Sequence, residues 1–139
     1  LTLGTTRSDV TRSVMEGVTF SLKQVVDLMK SFTPCEKVYT SGGGSASALW
    51  RQMQADVFDL PVYTMSAAGE GGAYGAIMVA GVGAGVWKNL SEAVRIVRVE
   101  TETLPIRENQ KAYQDAFEIY AKLYPALKPV YDLSASKGF

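Results

Sequence analysis

Lys37 to Asp56 reads KVYTSGGGSASALWRQMQAD, and the three consecutive glycines within it constrain the fold more than any other stretch of the chain. The residues before them are β-branched and aromatic, suited to a short strand over Lys37 to Ser41, and those after them carry an amphipathic helical pattern. Strand, glycine turn and helix therefore follow one another with almost no spacer. Lacking Cβ atoms, Gly42, Gly43 and Gly44 can take positive φ and let a ligand lie directly on the peptide planes. The helix, expected to open near Ser45 or Ser47, adds free N–H groups and the positive end of its dipole, which favour phosphate or polar ribose atoms. A tight strand-to-helix turn with no ligand would use the same residues, so the glycines alone leave both readings open.

The flanking pattern extends an α/β reading. Thr6-Arg7-Ser8-Asp9 has the form of a capping box, and Val10, Val14, Val18, Leu22, Val25 or Val26 and Met29 recur at helical spacing, which predicts one long helix through Lys30. Gly17 in its middle costs roughly 1 kcal/mol against alanine and predicts the close approach of another backbone as compensation. After the glycines, Leu49, Met53 and Val57, with Trp50 beside them, form a packing stripe, while Arg51, Gln52 and Gln54 are expected mostly toward solvent. Pro61 and the run Val62 to Met65 predict a second strand and hence a βαβ-like unit. Gly71 to Trp87 carries no charge over 17 residues. That segment is too short and too rich in glycine and alanine to span a membrane, and is expected as a buried helix ended by Gly81, Gly83 and Gly85. Ser91 is expected to cap a short helix to about Val97, in preference to Asn89 serving as a glycosylation site. Glu100 to Ile106 then runs extended around Pro105. Tyr113, Phe117, Tyr120 and Tyr124 mark a final amphipathic helix, with Ser134 to Phe139 frayed.

Composition excludes several classes of function. At 139 residues, 47% apolar, the chain has the size of one domain with its own core. Its 14 basic and 14 acidic residues cancel and form no block of like charge, which argues against nucleic acid or an anionic membrane surface as partner. A single cysteine, Cys35, and no histidine exclude an internal disulfide, a structural zinc site and a Cys–His nucleophile. The opening LTLGTTRSDV lacks the basic and apolar regions of a secretory signal, so a cytoplasmic protein is expected. Neither common phosphate fingerprint is present. Counting two and five residues on from Gly42, Gly69 or Gly81 reaches Ser47, Tyr74 or Val86 where the dinucleotide motif needs its third glycine, and the Gly-Lys-Ser/Thr of a P-loop is missing.

The string GGGSASALWRQMQADVFDLPV resembles the C-terminal domain of the FGGY carbohydrate kinases, and most closely that of xylulose kinases within the family. Three further segments share the resemblance in the family's order: TRSDVTRSVMEGVTFSLKQ, EGGAYGAIMVAGVGAG and YAKLYPALKPVYDLSA. The resemblance implies a partial ribonuclease H-like domain of the actin/hexokinase-type ATPase class, with a short central sheet and several packed helices. It implies that Gly42 and Gly43 lie against the adenosine and its ribose, that Gly44 completes the turn, and that Ser47 stands near the adenine. Ala46 departs from the basic residue often found before that position in xylulose kinases. Trp50, Arg51, Gln52 and Asp56 also match and are expected to be structural. Glu70 is expected to orient or cap the uncharged helix, and Glu16 to be solvated or paired.

Phosphoryl transfer to a sugar hydroxyl needs a carboxylate base, Mg²⁺ near the β- and γ-phosphates, and donors to those phosphates. By the resemblance these belong to an N-terminal sugar-binding domain and the segment that joins it to this one. Residues 1–139 are therefore expected to be the nucleotide side of a longer enzyme that uses ATP, leaves ADP and phosphorylates a pentulose, with no catalytic residue of its own and no kinase activity in isolation. The alternative is a non-catalytic nucleotide-binding or protein-interaction module of the same fold. Exposed aromatic positions on the last helix also suit a homodimer contact.

Overall fold

The structure, a computed structural model, describes residues 2–66 and 71–138. Its first helix, α1 (Arg7–Lys30), starts at the expected capping box. The Thr6 hydroxyl accepts from Asp9 N at 3.2 Å while the Asp9 carboxylate accepts from Thr6 N at 2.8 Å, so two otherwise unpaired donors are satisfied reciprocally. A short loop through Cys35 leads to β1 (Val38–Thr40), the glycine turn, α2 (Ala48–Phe58) and β2 (Val62–Met65). β1 and β2 pair in parallel, Val38 opposite Val62, which makes the expected βαβ-like unit. α3 (Gly71–Gly83), α4 (Leu90–Ala93) with a 3-10 turn at Val94–Ile96, β3 (Val99–Thr103) and α5 (Arg107–Ser136) complete the chain. β3 joins the sheet antiparallel to β2, giving the order β1-β2-β3.

Burial concentrates around α2. Met53, Ala55, Val57 and Phe58 from this helix, with Phe20, Leu60 and Val62, form the core, and Tyr113, Phe117 and Tyr120 of α5 close over Phe20 with ring centroids 5.4–6.4 Å away. α2 touches α1, α5 and the sheet at once. Its second half is therefore buried on all sides, and the expectation that Gln54 points to solvent is wrong: Gln54 is 5% exposed. Arg51 and Gln52 likewise turn to the protein, bonding the Ser45 and Leu104 carbonyls. Leu49, expected in the packing stripe, is instead 56% exposed, while Trp50 beside it packs against the core.

Other elements also differ from expectation. Asn89, not Ser91, caps α4: its Oδ1 accepts from Glu92 N at 3.0 Å. Either residue suits the position chemically, and the extended backbone of Asn89 decides it. α3 buries none of its residues among those described and meets chiefly α4. It does end at its glycines: Gly85 adopts φ +77°, with Val86 N bonding Gly81 O and Gly85 N bonding Val82 O, a Schellman closure. α5 runs through Pro125 and Pro129 to Ser136, so the frayed end expected from Ser134 is helical for three more residues. No backbone of the described residues approaches Gly17, whose added Cβ would meet nothing within 4 Å.

Candidate functional site

The glycine turn stands at the carboxyl ends of the two parallel strands, β1 closing at Thr40 and β2 at Met65. In open α/β sheets ligands bind outside this end of the strands. Gly42 takes φ +86°, ψ −178°, a conformation reserved for residues without a side chain, and turns the chain out of β1 into a single 3-10 turn at Gly43–Ala46. Local bonds fix it there. The Gly42 carbonyl accepts both Ser45 N at 3.0 Å and Ser45 Oγ at 2.7 Å, the Gly44 carbonyl accepts Ser47 N at 3.2 Å, and Arg51 Nη1 donates to the Ser45 carbonyl at 2.5 Å. With Ser45 buried, the turn is held from beneath.

The three glycines have different surroundings. A Cβ on Gly42 or Gly43 would meet no atom of the described residues within 4 Å, so among these residues bare main chain is uncovered at both. A Cβ on Gly44 would come 2.8 Å from Trp50 Cζ3, because the indole lies on that residue. The same indole donates through Nε1 to Thr19 Oγ1 of α1 at 3.0 Å, tying the turn to the first helix. Gly42 and Gly43 therefore form the accessible surface and Gly44 its support. Ser47 caps α2, its Oγ accepting from Trp50 N at 3.3 Å. Its own hydroxyl proton is not used in that bond and is available to an acceptor at the surface.

Beside the turn, Ser41 lies against Gly71, the first residue of α3. A cavity of about 230 Å³ opens there between Thr40, Ser41 and Ser66 at the strand ends and Tyr74 and Met78 of α3. Inspection of the sequence missed this cavity, because its walls come from four separated segments and no local pattern announces it. Glu70, expected to orient the start of α3, lies outside the described residues. Glu16 pairs with Arg12 on α1 at 2.8 Å.

The buried carboxylate of Asp56 works on the other side of α2. It accepts from Gln52 Nε2 at 2.8 Å, Ile106 N at 2.7 Å and Asn109 Nδ2 at 2.8 Å, fastening α2 to the junction of β3 and α5. All its bonds are structural. Among the described residues no group of three or more His, Cys, Asp or Glu side chains converges as a metal site. None of the described helices is long and apolar enough to cross a membrane.

Comparison with known proteins connects this geometry to a family. The family model described as "FGGY family of carbohydrate kinases, C-terminal domain" matches residues 1–84. The chain is 34% identical to the xylulose kinase of Staphylococcus xylosus over 89% of its own length and 26% of the relative's. It is 35% identical to the L-xylulose/3-keto-L-gulonate kinase of Escherichia coli K12 over 88% of this chain and 25% of that one. The crystal structure of xylulose kinase from Rhodospirillum rubrum superposes on 95% of this chain and 27% of its own with a TM-score of 0.78 at 25% identity. The α/β, actin/hexokinase-type fold is thus that of the sugar kinases, and the chain spans about a quarter of the length of the relatives it matches.

Proposed function

The chain belongs to the FGGY family of carbohydrate kinases, matching its C-terminal domain, and from this we propose that residues 1–139 supply the adenosine side of the ATP site in a longer sugar kinase. The observation that supports this reading is the fixed turn at the strand ends, where Gly42 and Gly43 offer main chain that none of the described residues covers. A purine nucleoside is flat and large, and a surface without side chains lets its ribose and ring approach closely. The cap hydroxyl of Ser47, at the start of α2, gives the adenine a polar contact. Because the carbonyls of the turn are already bonded internally, little order has to be gained when nucleotide arrives.

Holding adenosine at one end places the γ-phosphoryl group at the other, toward the sugar. In-line transfer then forms the bond from a sugar hydroxyl oxygen to phosphorus and breaks the bond to ADP, while a carboxylate takes the hydroxyl proton. That carboxylate, the Mg²⁺ ligands and the sugar contacts belong to the sugar-binding part of the longer polypeptide, which closes on this domain and excludes water. Residues 1–139 alone are therefore inactive as a kinase. The substrate we propose is D-xylulose, giving D-xylulose 5-phosphate. Relatives named for xylulose and for L-xylulose or 3-keto-L-gulonate match almost equally well, so a ketose is the class and the pentulose a specific choice within it. The free Cys35 suits a reducing, cytoplasmic setting.

The test is calorimetric titration of ADP into the full-length polypeptide and its Gly43→Val variant, with phosphorylation of a panel of ketoses assayed in parallel. Weaker ADP binding by the variant with unchanged thermal stability is expected. Equal ADP affinity in both would remove the turn from the nucleotide site.

A further inference from the structure

Among the described residues the guanidinium of Arg51, in the first turn of α2, makes one hydrogen bond and no ion pair: Nη1 donates to the Ser45 carbonyl at 2.5 Å. Nε is buried and meets no acceptor among them. A buried donor left unbonded and a half-buried charge without a counter-charge both subtract from stability, so a neutral side chain here would serve the fold alone better. What the charge secures is that single bond, since a charged donor holds a carbonyl roughly twice as strongly as a neutral one.

The bond begins a chain that ends at the uncovered main chain of the turn. Ser45 is buried, and its amide and hydroxyl both donate to the Gly42 carbonyl, at 3.0 and 2.7 Å. A glycine has no side chain to restrict φ, so Gly42 keeps its φ of +86° through these bonds. Trp50, one residue earlier on α2, presses on Gly44 instead. Two successive side chains of one helix thus act on opposite ends of the glycine triplet, the indole on the third and the guanidinium, through Ser45, on the first.

We propose that Arg51 is a positioning residue of the nucleotide site, holding Gly42 and Gly43 through Ser45 in the one conformation on which the adenosine of ATP or ADP rests. Without that hold the turn samples other conformations, and nucleotide binding must supply the ordering. The proposal rests on the reading of the turn as the adenosine surface, which the Gly43→Val variant tests by itself.

In the full-length polypeptide, Arg51→Met keeps the aliphatic stem and removes the donors, while Arg51→Lys keeps one charged donor. Calorimetric titration of both variants with ADP and with adenosine, which has no phosphates, is combined with phosphorylation kinetics on the fastest ketose of the panel. For Arg51→Met, affinity for ADP and for adenosine should fall by the same factor, about tenfold or more, and KM for ATP should rise with it, while kcat at saturating ATP and KM for the ketose stay within about twofold. Because only one donor is in use, Arg51→Lys should recover ADP affinity to within about threefold of the parent. A loss confined to ADP would assign the guanidinium to the phosphates, and equal rises in both KM values would mark a general loss of structure; either overturns the proposal. Parental affinity in Arg51→Met beside weakened affinity in Gly43→Val would overturn the proposal alone, and parental affinity in both would remove the reading beneath it as well. Should Arg51→Met fail to fold, Ser45→Ala decides: it cuts the hydroxyl bond to Gly42, so ADP affinity lower by about threefold or more is expected, and parental affinity would overturn the proposal.

Discussion

Trp50 lies flat on Gly44, its Cζ3 atom 2.8 Å from where a Cβ would stand, and hydrogen-bonds Thr19 from the same position. The third glycine of the turn is thus required by a neighbouring side chain and not by backbone conformation. Gly44→Ala must displace the indole and break its bond to α1. A loss of about 1–3 kcal/mol in the denaturant midpoint analysis is expected. Unchanged stability would mean that the ring has room to move.

Gly42 and Gly43 should respond oppositely to the same change. At Gly42 an alanine is forced into φ +86°, costing about 1–3 kcal/mol, although its Cβ meets nothing. At Gly43 neither strain nor contact opposes it, so thermal unfolding should stay within about 0.5 kcal/mol of the parent. Comparable destabilisation at both positions would contradict the conformations described for the turn.

Asp56→Ala should destabilise the protein without touching the glycine turn. Removal of the carboxylate strands the Ile106 amide and the amides of Gln52 and Asn109, each previously bonded within 2.7–2.8 Å. The three donors sit in part-exposed residues, and Gln52 keeps its bond to the Leu104 carbonyl, so a loss of about 1–3 kcal/mol in all is expected. Urea unfolding measures the loss, while ADP affinity of the folded fraction should match the parent; weakened affinity at full occupancy of the native state would place Asp56 nearer the site than its bonds indicate.

The acid side of the stability profile carries the signature of the first cap. Bonds from the Thr6 amide and then its hydroxyl hold the Asp9 carboxyl below its ordinary value of 3.8. A depressed folded-state value means stabilisation present above 3.8 and lost as pH falls through the folded value. Tm of the parent should therefore fall more steeply below pH 3.8 than that of Asp9→Asn, the two curves converging in acid. Parallel curves over that range would show that the cap is not formed in solution.

Short-range chemistry was the part of this fold legible in sequence. The Thr6–Asp9 box and the helix-ending glycines each depend on residues within five positions of one another and the strand–glycine–helix order on one continuous run, and each stands where its pattern placed it. What misled was the number of neighbours. Gln54 reads as a surface residue on a two-sided helix, but α2 is enclosed by α1, α5 and the sheet, and no pattern within α2 encodes that. α3 reads as buried from its apolar content, yet burial is a property of what lies opposite, and little among the described residues does. Of the candidate site, the turn was legible and the division of labour within it was not. Only the packing of Trp50 shows that Gly44 supports while Gly42 and Gly43 face outward.

The protein has two tryptophans, and each rests on a glycine: Trp50 on Gly44, and Trp87 on Gly81 at the close of α3. Each indole is thereby an optical gauge of one place. Emission from a Trp87→Phe protein reports the turn at the strand ends, and emission from Trp50→Phe the end of the uncharged helix. Events at the two places can be timed separately without attaching any dye.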